Sequence, residues 1–335
     1  MTTLGVIGLG RIGAFHTDTL SALDGIDGLV VTDERPEVVA AVAAKHGAKP
    51  VDSVEALLAS SIDGVVVSAA TPAHAELTLA AVERGLPTFC EKPISATAAE
   101  SARVAEVIAR SGVPVQVGYQ RRFDAAFAAA KRAVDDGSLG PLHTVRSTTM
   151  DPAPPPMEYI ASSGGIFRDC AVHDFDVLRW ITGQRAVEVY ATGSVQGDPL
   201  FTEYGDVDTA AVLVTFDQGT LGVVSAARYN GHGYDCRLEV HGFHDTVVAG
   251  WDQGAPVRNV DPSNDFPAGP AHHFFMDRFT DAFRAELAAC VDVVNGNAVP
   301  ACTVADAVEV AWLAEAATES LKRHAPVRID EVRSQ

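Results

Sequence analysis

The sequence predicts an α/β fold in two parts: an N-terminal parallel sheet with helices on both faces, then an α+β domain with a large, mostly antiparallel open sheet. Three observations carry this. Short β-rich runs alternate with Ala-rich helical stretches over the first 120 residues, the pattern of a parallel sheet covered on both faces. After about Tyr119 the strands lengthen and few helices separate them. The 335 residues are 47% hydrophobic, ample for a buried core and against global disorder.

Taken in order, Leu4–Leu9 reads as a strand and a helix starts near Arg11 and runs past Leu20. Gly28–Thr32 is the next strand. Pro36 opens a helix to His46, at a position proline favours. Asp63–Ala69 is a continuous apolar run, which suits a strand buried on both faces. Ala73–Arg84 is helical, and Gly85 ends it. Pro87–Cys90, Thr97–Arg110 and Val113–Gly118 continue as strand, helix and strand. Beyond these, Leu142–Met150, Ala186–Val195, Val207–Phe216, Leu221–Tyr229 and Tyr234–His241 read as strands. A short DQG turn joins two of them into an antiparallel hairpin. Asp151–Gly165 is loop by composition, because three consecutive prolines exclude a helix interior. Asn259–Pro270 is a second loop. His273–Val294 and Val304–Arg323 are helices.

Composition bounds the function. With 25 Lys+Arg against 44 Asp+Glu the formal charge is −19. That excess of acid argues against nucleic acid or an anionic membrane as partner. No apolar run approaches the roughly 18–20 residues that span a bilayer. The start lacks the basic region and cleavage site of a signal peptide and reads as a first strand. The five cysteines are odd in number and widely spaced, with no C-x-x-C pair. Reduced thiols in a cytoplasmic protein are expected, without disulfides or structural zinc.

Gly8-Leu9-Gly10-Arg11-Ile12-Gly13 is a G-x-G-x-x-G that follows a strand, opens a helix, and has Asp33 at the end of the next strand. Gly8 allows the tight turn, Gly10 the approach of a pyrophosphate, and Gly13 close helix–strand packing. The helix N-terminus offers N–H groups to phosphate. Asp33 can accept from the ribose hydroxyls and repels a 2′-phosphate, which favours NAD over NADP. Arg35 is placed to pair with that phosphate and works the other way.

Lys92 follows the fifth strand, where parallel sheets present ligands, and can stabilise an alkoxide or relay a proton. An exposed charge is the alternative. In Gly164–Asp176, a single helix would put Asp169 and His173 on one face, with Asp176 continuing it. Such a histidine can take a hydroxyl proton while hydride leaves the same carbon. The alternative is an acidic helix start with a satisfied polar face. A metal held by Asp169, His173, His272 and His273 lacks a His pair at ligand spacing, and hydride transfer to NAD needs no metal.

Together GLGRIG, TPAHAEL at Thr71–Leu77, FCEKP at Phe89–Pro93, GYQRRFD at Gly118–Asp124 and GGIFRDCAVHDFDVLRWITG at Gly164–Gly183 resemble, in order and spacing, the Gfo/Idh/MocA oxidoreductase family. The segment Asp277–Ile329 also resembles the family's C-terminal region, so the likeness covers essentially the whole chain. It implies a Rossmann domain over residues 1–120 and a substrate-binding and oligomerisation domain over 121–303. The C-terminal helix and tail, 304–335, would return to the Rossmann domain. It implies cofactor contacts at Thr71, Pro72, His74, Glu91 and Lys92, with a cis proline often present in the Glu91-Lys92-Pro93 run. His173 would accept the proton, Lys92 would stabilise the alkoxide, and Asp169 would hold the pair and bind substrate.

Within the family, GYQRRFD and Tyr229–Val240 most resemble inositol 2-dehydrogenases. On that basis Arg122, Tyr234 and Asp151, with Asp169 and His173, would face a polyol. Tyr234 as a strand aromatic and Arg122 in an interdomain ion pair stand as alternatives. The expected activity is NAD-dependent oxidation of a ring hydroxyl of a cyclic polyol or sugar, best guess myo-inositol at C2. Another sugar or anhydro-sugar, a glycosidase using NAD transiently, and a non-catalytic dinucleotide sensor are the competing readings. The proline-rich loop at 151–163 departs from the family pattern. A homotetramer through the second domain is expected, because an open sheet face needs covering.

Overall fold

The computed structural model describes residues 2–334, which fall into two compact units. One takes the chain up to Gln120 together with Asp281–Glu309; the other takes Arg121–Thr280 and the chain from Val310 onward.

The chain opens with β1 (Thr2–Ile7), α1 (Arg11–Ser21), β2 (Ile26–Thr32), α2 (Pro36–His46), β3 (Lys49–Pro50) and α3 (Val54–Leu58). It continues with β4 (Gly64–Val67), α4 (Thr71–Glu83), β5 (Thr88–Glu91), α5 (Ala98–Ser111) and β6 (Val115–Gly118). The apolar run at β4 is buried throughout. Pro36 does open α2, and Gly47, at φ +64°, closes it in the left-handed conformation that spares glycine a Cβ clash. The six strands pair in parallel in the order β3-β2-β1-β4-β5-β6. The order reverses between β1 and β4, and ligands of such sheets bind beyond the carboxyl ends of the strands at that switch.

The second part begins with a 3-10 turn at Gln120–Phe123, then α6 (Ala125–Asp135), β7 (Leu142–Met150), α7 (Met157–Ile160), α8 (Ile166–Asp169) and α9 (Val172–Thr182). There follow β8 (Ala186–Ser194), α10 (Leu200–Glu203), β9 (Thr209–Phe216), β10 (Leu221–Ala227), β11 (Asp235–Gly242) and β12 (Thr246–Ala249). The chain ends in α11 (Phe275–Arg278), α12 (Thr280–Val294), α13 (Val304–Arg323), β13 (Val327–Arg328) and α14 (Ile329–Arg333). The sheet order is β12-β11-β7-β10-β9-β8-β13, with β7 and β10 parallel and the other neighbours antiparallel. One face carries α9, buried through Val172, Phe175, Val177, Leu178 and Ile181. Along β9, Ala210, Val212, Val214 and Phe216 point inward while Ala211, Leu213 and Thr215 point outward, the alternation of a sheet with one face open.

Two expectations need correction. Residues 304–335 do not return to the first unit as a block. The returning element is α12, whose Leu287, Cys290 and Val291 share one buried cluster with Leu4, Val6 and Phe89. The tail instead completes the second sheet: Val327 is fully buried and pairs with Val189 of β8, and Ser320 Oγ accepts from the Ala191 N–H at 2.9 Å. The helix expected over His273–Val294 is broken at Phe279, between α11 and α12. The Phe279 ring is buried edge-on to Phe127 and Tyr234, and core packing there outweighs helical continuity.

Candidate active site

In the first unit the glycine turn can be tested atom by atom. Gly8 has φ +89°, and a Cβ there would lie 2.5 Å from the Ala69 backbone. A Cβ on Gly13 would lie 1.9 Å from the Gly8 carbonyl oxygen. A Cβ on Gly10 would meet nothing within 4 Å. Two glycines are therefore required by the fold, and the third leaves the approach to the helix open. Gly10 caps α1 with no side-chain hydrogen bond and no acid in the first turn, where Arg11 and Ile12 stand. Such a helix start presents N–H groups and positive potential to phosphate. Asp33 follows β2 and accepts from the Leu9 N–H at 2.6 Å and from Arg35 Nε at 2.9 Å. Burial works to raise the Asp33 pKa, but the hydrogen bonds from Arg35 and Leu9 outweigh it and hold the carboxyl below its ordinary value. These features fit a dinucleotide with a free ribose diol.

The other expected cofactor contacts divide. Thr71 and Pro72 open α4 at the carboxyl end of β4. His74 is 2% exposed, and its two ring nitrogens face the Pro93 carbonyl at 2.7 Å and the Ala69 carbonyl at 2.9 Å. It braces the loops after β4 and β5 from beneath. Burial opposes its charge, yet Cys90 and the two carbonyls raise its pKa to about 9. Glu91 is held by His16 Nε2 at 2.6 Å and by the Lys92 N–H at 3.2 Å, so it too supports the loop. Burial pushes its pKa up, but His16, Lys92 and His74 bring it below the ordinary value. Lys92 stands half-buried just past β5, and its bond to Pro93 is cis.

In the second unit a run of local constraints places Asp169 and His173. Gly164 and Gly165 have φ of +81° and +87°, and Asp206 Oδ1 accepts the Ile166 N–H at 3.0 Å to start α8. The single helix expected over this run is a correction. The Ala171 N–H bonds to the Ile166 carbonyl five residues back, and α9 starts afresh at Val172. A step of this kind inserts one residue and turns the following side chains relative to the preceding ones. Asp169 therefore ends α8, and half-buried His173 belongs to the first turn of α9. Asp169 Oδ1 accepts from the Tyr159 hydroxyl at 2.8 Å, and Oδ2 from Arg228 Nη2 at 2.8 Å. The same guanidinium lies 3.5 Å from Asp151 Oδ2. Burial raises the Asp151 pKa, against the pull of Arg228.

Comparison with known proteins identifies this assembly. Residues 2–119 match the model of an oxidoreductase family with an NAD-binding Rossmann fold, and residues 127–248 match the GFO/IDH/MocA C-terminal domain. The chain belongs to the Gfo/Idh/MocA oxidoreductase family. It is 36% identical over 332 residues to a myo-inositol 2-dehydrogenase of Thermotoga maritima, covering 98% of this chain and 99% of the relative. A crystal structure of a probable dehydrogenase from Thermotoga maritima matches with a TM-score of 0.91 at 36% identity, covering 98% of this chain and 99% of that one. A scyllo-inositol dehydrogenase of Lactobacillus casei, solved with bound NAD(H) and scyllo-inositol, matches with a TM-score of 0.89 at 26% identity, covering 98% and 99%.

In this oxidoreductase two of the expected polyol contacts also carry structural partners. Arg122 is 8% exposed and both carboxylate oxygens of Asp176 accept from its guanidinium, so the ion pair weighed as its alternative role exists, within the second unit. Asp176 is thereby the partner of Arg122 and does not extend a histidine face. Tyr234 lies in the same neighbourhood as Asp151 and Cys170, and burial pushes its phenol pKa up. It is 3% exposed, packed edge-on to Phe275 and Phe279, and its N–H bonds the His272 carbonyl at 2.7 Å. Its ring packs beside the sheet, as the alternative reading expects, and a substrate role for its hydroxyl belongs with the proposed function. Among the described residues no three or more His, Cys, Asp and Glu form a group that could hold a metal, and His272 pairs with Asp252 at 3.1 Å.

Arg228, Tyr159, Asp206 and His16 were absent from the sequence reading. For Arg228 a signal exists: Val224 and Ala226 are buried, and period-2 parity puts residue 228 on the same inward face. Tyr159 and Asp206 carry no such mark, since their partners lie 10 and 40 residues away.

Proposed function

We propose that this oxidoreductase uses NAD to oxidise a ring hydroxyl of a cyclic polyol to a ketone, with myo-inositol at C2 the leading substrate. The observation that carries the reading is the full-length likeness to a myo-inositol 2-dehydrogenase, in a chain whose Gly8–Gly13 turn is closed by Asp33. NAD, when bound, accepts the hydride from the carbinol carbon. His173 takes the hydroxyl proton as general base. The Lys92 ammonium opposes the negative charge that grows on the same oxygen. Asp169, fixed by Arg228 and Tyr159, accepts a hydrogen bond from the substrate and holds the ring in place. Asp151 stands beside it as a second ring contact. The products are ketone, NADH and a proton, so the chemistry balances without a further reactant.

The likeness to a scyllo-inositol dehydrogenase favours an inositol epimer as the second substrate reading. The test is NADH formation at 340 nm with a panel of inositols and hexoses, run with NAD and with NADP. Turnover with an inositol and NAD supports the reading. Binding of NAD with no turnover on any polyol overturns it in favour of a dinucleotide sensor.

Self-association as a homotetramer belongs to the same reading. The open face of the second sheet carries Leu213 at 53% exposure with Tyr190 opposite it, and Leu221 and Val248 are each 50% exposed. These exposed apolar side chains, with the Arg146–Glu239 ion pair between Val248 and Leu213 on the same face, suit an interface of mixed character. All five cysteines are free and buried, which agrees with a reducing, cytoplasmic setting.

A further inference from the structure

We propose that Arg228 is a positioning residue of the oxidation site: one buried guanidinium fixes the Asp169 carboxylate and shares itself with Asp151, setting the orientation and charge of both acids. The inference rests on the reading of Asp169 as a substrate-binding acid.

The argument starts from the backbone. Arg228 follows β10, and its N–H bonds the Asp208 carbonyl at 2.7 Å. Asp151 follows β7, and its N–H bonds the Ala227 carbonyl at 2.9 Å. The parallel pairing of β7 with β10, which sets Ala227 opposite Met150, therefore delivers the arginine and the first acid side by side. Asp208 is itself anchored, accepting from the N–H groups of Gln196 and Gly197. The second acid arrives from a different element, at the end of α8, whose start is fixed by Asp206.

The side chains complete the pattern. Arg228 is 2% exposed, and only a planar fork reaches two carboxylates from one buried stem. The contact to Asp169 is short at 2.8 Å and the contact to Asp151 longer at 3.5 Å, so the cation is shared unequally. The second oxygen of Asp169 takes the Tyr159 hydroxyl, from the proline-rich loop that departs from the family pattern. Asp169 is thus held from two sides, by a fixed cation and by a loop phenol. One positive charge faces two acids, so their joint titration depends on it. Other ionisable groups around the cluster are Cys170 beside Asp169, Tyr234 near Asp151, Asp206 beneath Gly165, Asp174 and Arg121 on the core side, Tyr159 on the loop and His173 four residues on.

The experiment uses full-length protein with NAD and its best polyol, and compares R228M and R228K with wild type. The readouts are the pH profile of kcat/KM, kcat and KM separately, NADH affinity by fluorescence, and melting temperature. R228M is expected to lose about 100-fold in kcat/KM and to move the acid limb of the profile up by about one pH unit, with NADH affinity within about twofold of wild type. R228K restores the charge without the fork, so it is expected to return the limb most of the way and the rate only in part. D151N, which removes the competing acid, is expected to move the limb down. An R228M protein with an unmoved limb and a rate loss that follows its melting temperature overturns the proposal. If R228M does not fold, a downward limb shift in D151N together with a rate loss in R228K at a near-wild-type melting temperature sustains it, and an unmoved limb in D151N or a wild-type rate in R228K overturns it. An inactive D169N beside a wild-type-like R228M defeats this proposal alone, whereas an active D169N defeats the parent reading.

Discussion

The Asp33 carboxylate accepts a hydrogen bond from the Leu9 N–H at 2.6 Å, so the acid at the end of β2 is tied directly to the glycine turn after β1. One residue thereby shapes the turn, and in the proposed reading it also meets the ribose. D33A is expected to weaken NADH binding about tenfold or more and to narrow the preference for NAD over NADP, with Arg35 then free to meet a 2′-phosphate. Fluorescence titration with both reduced cofactors checks this. Because the Asp33 carboxyl sits below its ordinary value, NADH affinity in wild type is expected to hold down to the usual carboxylate range and to fall only below it.

The two interior glycines separate folding from binding. G10A adds a Cβ to open space, so its melting temperature is expected to stay near wild type while NAD binding drops by an order of magnitude or more. G13A drives a Cβ to 1.9 Å from the Gly8 carbonyl, so it is expected to lose on the order of 1–3 kcal/mol of stability as well. Thermal melts and NADH titrations on the same preparations distinguish the two.

His74 faces carbonyl oxygens with both ring nitrogens, which requires a proton on each. Its folded pKa of about 9 lies above the ordinary 6.5, so it contributes stability that is fully present below pH 6.5 and is lost as pH rises through 9. Chemical denaturation of wild type between pH 6 and 9.5 is expected to show that loss, and H74N is expected to lack it. Nitrogen NMR is expected to find both ring nitrogens protonated at pH 7; one bare nitrogen there contradicts the assignment.

Much of the fold was legible. Pro36 and Gly47 bracket α2, the run at β4 is buried on both faces, and the G-x-G-x-x-G opens α1 where glycine spacing places it. What sequence could not show is tertiary. The one-residue step at Ala171 leaves no trace in a helical period, so Asp169 and His173 looked like neighbours on one continuous face. Arg122 and Asp176 are separated by 54 residues, and only their pairing shows that the arginine carries a structural partner. The tail strand β13 is two residues long and too short to carry an alternation. Arg228 was the recoverable case, since strand parity alone turns it inward.

The open sheet face offers a test of assembly. Leu213 points outward between Tyr190 and Val223. L213R is expected to reduce the particle mass of the protein in light scattering, with its melting temperature lowered and NADH binding retained. Wild type that is monomeric at micromolar concentration contradicts the proposed homotetramer.

The central claim is hydride transfer from a ring carbon, and isotope tracing tests it most directly. With myo-inositol carrying deuterium at C2, the label is expected in the NADH recovered and the rate is expected to fall relative to unlabelled substrate. K92A and H173A are expected to lower turnover about 100-fold or more while keeping NADH affinity. NADH formed without deuterium contradicts oxidation at that carbon, and no NADH from any inositol contradicts the account as a whole.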